Sequence, residues 1–262
     1  MGHVRLGILP RTRAWKEVVG LIADGCDVEE VAGAVLTASD RAFQAVQKDA
    51  GFSDALTLLT QLAIAAKKSD PAAHLTSAGL NLSPQSSVAE VAAAIHKALD
   101  AKSAQRREHS DFAELAQNAL VGGVVKHLDE GLGRLVTPSA AEVHKALAKL
   151  GRPAEFGRLA RTFFDRLSRD CIGYFLSKTL GSHVGEGHRF ATASQVAEFE
   201  RAMAQHTHEA SEIVERYSSE WFSKHRHEGG GDISAETSGH FGWYAMEKMR
   251  KELKARSQPD AP

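Results

Sequence analysis

RPAEFGRLARTFFDRLSRDCIGYFLSKTL, residues 152–180, decides the fold. Phe156, Leu159, Phe163, Leu167, Cys171 and Tyr174 return at intervals of three or four, the period of an α-helix and not of a strand. Phe164, Ile172 and Phe175 widen this stripe until the segment is apolar nearly all round, which predicts a helix enclosed by others. Arg169, Asp170 and Lys178 flank CIGYFL and stop it from reaching the length of a membrane span. Such a helix needs several partner helices.

The sequence on either side provides them. Downstream, a stripe of Val196, Phe199, Met203, His206, Ala210, Tyr217 and Trp221 predicts one long helix near 194–225, with Thr192 and Gln195 at capping-box spacing. The glycine run HEGGGD, 227–232, then reads as a hinge before a last helix near 234–256. Ala235, Ser238, Gly239 and Gly242 give that helix a small-residue face suited to close packing. Phe241, Tyr244, Met249 and Leu253 give it a separate apolar stripe, the expected partner-binding surface.

Upstream, helices are predicted over 11–24, 27–51, 53–68, 87–102, 111–128 and 138–150. Asp27 with Glu30 and Ser87 with Glu90 have capping-box spacing, and Thr137 before Pro138 resembles an N-cap with proline at the first helical position. Asp70 and Pro71 close the third helix, and Gly79 and Pro84 lie in a loop. Strand-like alternation is nearly absent. The fold class is therefore all-α, a multi-helix bundle of two packed helical subdomains. The first is an alanine-rich region over 1–105; the second is a bundle over 106–262, entered through the polar run AKSAQRREHS. The first region holds only Trp15, Phe43 and Phe52 among the aromatics, so its core buries less area per residue.

Composition narrows the function classes. Hydrophobic residues make up 43% and charged residues 25% of the 262, as in a soluble globular protein, and the short apolar stretch in MGHVRLGILP is too brief for an export signal. A formal charge of −1 leaves no global field for nucleic acid or a membrane surface, so any polyanion site must be local. Cys26 and Cys171 lack metal or redox spacing and read as buried thiols in a reducing, cytoplasmic compartment.

Seven of the 13 histidines fall between His183 and His240. His183, Glu186 and His188 in GSHVGEGH are the set closest to a metal site, two imidazoles and a carboxylate on a glycine loop. His206 lies on the apolar stripe, where an imidazole is expected in the core and its protonation is costly. His208 is two residues further on, so it points to the other side of the helix and cannot share an ion with His206. No hydrolase elbow, phosphate loop or helical zinc motif occurs, and no cofactor is implied.

Arg158, Arg161 and Arg169 on one helix, with Lys251 and Lys254 on the last, are the candidate nucleic-acid contacts, provided the fold gathers them. From these features the expected role is a non-catalytic interaction or adaptor subunit of a bacterial cytoplasmic assembly. A protein partner is expected, nucleic acid or a second copy of the chain is allowed, and a membrane is not. The alternatives are a nucleic-acid-binding accessory protein and a metal-dependent enzyme using the histidine-rich half.

Overall fold

A computed structural model describes residues 2–4, 13–39, 44, 48–133 and 138–257. The chain is an all-α bundle, as the periodicity predicts. The helices are α1 (Arg13–Ala23), α2 (Val28–Ala38), α3 (Ala50–Ala65), α4 (Pro71–Ser77), α5 (Val88–Arg106), α6 (Asp111–Leu132), α7 (Ala140–Lys149), α8 (Pro153–Leu180), α9 (Ala193–Ala210), α10 (Glu212–Glu228) and α11 (Ala235–Arg256). Two three-residue strands, β1 (Gly2–Val4) and β2 (Glu108–Ser110), pair in parallel with Gly2 opposite Glu108. They are too short to leave a period in the sequence.

Helix α8 is the axis of the molecule, packed against α6, α9 and α10 and touching α2 and α11. Phe156, Phe163, Phe164 and Leu167 on it are fully buried. The Phe156 ring stacks on Phe222 at 4.4 Å and lies 5.7 Å from Phe241, tying α8 to α10 and α11. Phe163 lies 6.4 Å from Phe52 of α3, and Phe52 meets Phe112 of α6 edge-on at 5.2 Å. Each such pair contributes about 0.5–1.5 kcal/mol beyond area burial. The buried side chains of α1 to α11 form one continuous cluster.

The small-residue face of α11 does what its composition suggests. Gly242 sits where an added Cβ would meet Leu56 Cδ1 at 1.9 Å, and Ser238 Oγ shares a buried 2.8 Å hydrogen bond with Thr60 Oγ1 of α3. The other face packs on α10 and α9. Glycines 229–231 form a closed turn, with Gly231 N–H donating to Arg226 O and Asp232 paired with Lys68 at 2.7 Å. The expected hinge is thus tied down, and α11 lies inside the bundle.

Four boundaries differ from expectation. Ser39 ends α2, and Gly51 lies inside α3 rather than closing a helix at 51; positions 40–43 and 45–47 of that predicted helix lie outside the described residues, as do Arg11 and Thr137. Asp70 and Pro71 open α4, because the Asp70 carboxylate accepts from Ala73 N–H and proline suits the first helical turn. Ser139, not Thr137, caps α7, in a full capping box with Glu142.

The fourth difference is the predicted 194–225 helix, which is broken at Ser211. Ser211 Oγ donates to His208 O, while Arg161 from α8 donates to Ser211 Oγ at 3.0 Å and to His208 O at 3.5 Å. A side chain inserted into the backbone ladder interrupts it.

Candidate functional site

The start of α3 and the start of α6 lie side by side, and the cause is a pair of linked caps. Asp49 accepts from Phe52 N–H at 2.8 Å and opens α3; Ser110 accepts from Ala113 N–H at 2.9 Å and opens α6. Ser110 Oγ donates to the other oxygen of Asp49, joining the two caps. Gly51 permits the approach, since a Cβ there would meet Ala113 Cβ at 2.3 Å. The positive ends of two helix dipoles therefore face the same surface.

The polar run expected as a domain boundary feeds cations to that surface. Arg107 ends α5 in the left-handed region, φ 56° and ψ 30°, the one positive-φ residue other than glycine among the described residues. A side chain there costs about 1–2 kcal/mol relative to the right-handed form. Lys48, Arg106, Arg107 and His109 line a groove of about 500 Å³ over the helix starts.

Lys48 also lines a second groove, of about 640 Å³, with Gln44, Trp243, Glu247, Arg250, Lys251 and Lys254. The α11 members of this set fall at 243, 247, 250, 251 and 254, a single helical stripe. The two grooves together form a belt with six lysines and arginines against three carboxylates, Asp49, Glu108 and Glu247. Asp49 is engaged in capping, Glu247 pairs with the buried Arg250 at 2.5 Å, and Arg106 pairs with Asp54 at 2.5 Å. Among the described residues Lys48, Arg107 and Lys251 make no ion pair. On a chain of net charge −1, this is a concentrated local positive field.

Lys251 and Lys254 thus join the belt, whereas Arg158, Arg161 and Arg169 do not. Arg161 pairs with Glu215 at 3.1 Å and Glu212 at 3.5 Å, Arg158 with Glu155 at 3.2 Å, and Arg169 with its neighbour Asp170 at 3.6 Å. Carboxylates of α10 absorb much of the basic face of α8. Helix-wheel reasoning on α8 alone gives no sign of this.

The partner-binding stripe is also divided. Phe241, Met249 and Leu253 are fully buried in the chain's own core, and only Tyr244, 59% exposed, faces outward. Val184 is the other large hydrophobic exposed among the described residues. The apolar lining of the surface is instead concave: Leu62, Leu75, Leu82, Pro84 and Leu147 border a cleft of about 270 Å³ between α3, α4 and α7.

His183, Glu186 and His188 do not assemble a ligand set; among the described residues no three His, Cys, Asp or Glu side chains gather as one. Their loop is held by backbone and by Arg189, which neither composition nor spacing points to. Gly185 N–H donates to Phe190 O at 2.8 Å, Phe190 is buried, and the Arg189 guanidinium donates to Cys26 O and Ile22 O while covering the Phe199 ring. Both thiols are free; Cys171 is buried, which raises its pKa, but Cys26 is only half-buried.

His206 is buried, as its place on the stripe implies. Its Nδ1 lies 3.9 Å from Glu29 Oε1 of α2, and its Nε2 is buried without a hydrogen bond. Burial pushes its pKa below the ordinary value despite the opposing carboxylate, and burial does the same at His127. Below pH about 6.5 the unfolded chain takes up protons at these imidazoles more readily than the folded chain. Their contribution to stability is therefore complete above that pH and is lost as the pH falls towards the folded values. Urea titrations between pH 7.5 and 5 should show a shallower acid loss for His206→Gln than for the parent. An unchanged slope would remove His206 as a source.

Among the described residues no helix is long and apolar enough to cross a membrane. Comparison with protein-family models, curated proteins and solved structures finds no match for this chain.

Proposed function

We propose that the chain is a non-catalytic helical binding protein whose ligand is a polyanion lying along the belt from Arg107 through Lys48 to Lys254. One observation carries this reading: Lys48 lines both grooves, so that Arg107 over the two helix starts and Lys251 and Lys254 on α11 flank the same lysine from separate segments of the chain. Macrodipole compensation accounts for lysines at the end of α11 but not for their meeting with Lys48 and Arg107. Strain at Arg107 supports the same reading, since the left-handed backbone there favours glycine and the sequence has a cation instead. The expected adaptor role is compatible with this ligand, because a binding subunit can present a polyanion to a partner.

The test is binding of a fluorescent oligonucleotide, read by anisotropy at several salt concentrations. Affinity should fall steeply between 50 and 200 mM salt, as counterion release requires. Lys48→Glu combined with Lys251→Glu should weaken binding at least tenfold and reduce the salt slope by about 2. Arg107→Gly should also weaken binding while raising stability by up to about 1 kcal/mol, which separates ligand contact from folding. Arg158→Gln should change nothing. Binding weaker than about 100 µM at 50 mM salt, or binding indifferent to salt, would refute the reading.

A further inference from the structure

We infer that the polyanion is a single-stranded nucleic acid and that Trp243 is the platform on which one of its bases stacks. This rests on the belt reading and goes one step beyond it, from charge to base.

Trp15 and Trp221 are both at least nine-tenths buried and make aromatic contacts within the core, to Phe175 and to Phe156 and Phe241. Trp243 is only half-buried, and it lines the groove of Lys48, Lys251 and Lys254. Its place on α11 is one turn before Glu247 and two turns before Lys251, on the stripe that faces the groove rather than on the buried stripe of Phe241, Ala245 and Met249. An indole left partly open among cations forgoes part of the burial that its two counterparts obtain. A ligand with a flat apolar face next to a negative charge recovers that burial, and a nucleotide has both.

The choice between single strand and duplex follows from which surface an indole can reach. In a duplex the base faces are closed by their neighbours, and only base edges are open to a protein. Among the described residues the elements around the belt are helix ends and one helix flank packed within the bundle, not a projecting helix or ribbon of the kind that enters a major groove. In a single strand the base faces are open, and stacking on an aromatic side chain tolerates any sequence. Phosphates on either side of the stacked base would meet Lys251 and Lys254 at one end and Lys48 and Arg107 at the other.

The experiment compares four probes on the intact chain: oligothymidylate and oligouridylate of twelve nucleotides, a duplex of the same length, and linear polyphosphate. The oligothymidylate or oligouridylate should bind more tightly than the duplex and quench the accessible indole emission. Trp243→Leu should abolish the quenching and weaken single-strand binding about five- to hundredfold, the range expected for one lost stacking contact. The same variant should leave polyphosphate affinity unchanged, and Trp243→Phe should recover most of the single-strand affinity. If polyphosphate and single strands bind alike and Trp243→Leu weakens neither, the stacking inference is overturned while the belt reading stands. Preference for the duplex also overturns it. If no probe binds, both fail.

Discussion

Phe163→Ala is expected to lower the free energy of unfolding by about 3–5 kcal/mol, the range for truncating a fully buried phenylalanine. The site cannot collapse to fill the space. Phe163 lies on the central helix, with Phe52 of α3 at 6.4 Å, Phe164 edge-on at 5.0 Å, and the α6 backbone brought close at Gly123. Phe164 is itself held edge-on against Phe241 at 6.0 Å, so turning it into the void would open another one. Because Phe163 connects α3 with α6 and α8, its loss is expected to displace the whole transition. Urea unfolding followed by far-ultraviolet circular dichroism and by indole fluorescence should give the same lowered midpoint with both probes. A loss under 1 kcal/mol, or one seen by a single probe, would contradict the description of α8 as the common axis.

That axis was readable because its signal is redundant. Nine apolar positions between Phe156 and Phe175 agree on one period, and no neighbour in the sequence competes with it. Ser87 with Glu90 is local chemistry, and both of its hydrogen bonds form as the spacing requires, whereas Asp27 with Glu30 forms one of the two and Thr192 makes no side-chain cap at all. Asp70–Pro71 was ambiguous, since the same dipeptide ends one helix and begins another. The break at Ser211 could not be read, because its cause is Arg161, fifty residues earlier and on another helix.

The candidate site shows the same division. Trp243, Glu247 and Lys251 stand at i, i+4 and i+8, so their common stripe is visible in the sequence, but the apolar stripe beginning at Phe241 carries the stronger periodic signal. Burial decides between those two faces, and it is set by where α3 and α10 lie. The meeting of Lys48 and Arg107 with the α11 lysines depends on Asp49 and Ser110 being joined through their side chains. A contact across 61 residues leaves no mark in spacing or composition. For the same reason the sequence of α8 gives no sign that Glu212 and Glu215 lie opposite Arg158 and Arg161.

A matched pair of glycine substitutions on α8 should give effects of opposite sign. Gly157→Ala is expected to destabilise the protein by about 1–3 kcal/mol, the cost of overpacking, and Gly157→Val by more. A Cβ at 157 would lie 2.0 Å from Ser219 Oγ and 2.6 Å from the Glu215 carbonyl oxygen of α10. Ser219 is fixed by donating to that same carbonyl at 2.9 Å, and the carbonyl is part of the α10 backbone. Adding Ser219→Ala to Gly157→Ala removes the first clash and leaves the second, so rescue should be partial. Gly173, four turns further along the same helix, has nothing within 4 Å of an added Cβ and is exposed. There alanine recovers helix propensity, and Gly173→Ala should stabilise by up to about 1 kcal/mol. Thermal and urea unfolding of the two variants should therefore move in opposite directions from the parent. If both glycines respond with the same sign, α10 does not approach α8 at Gly157 as closely as described.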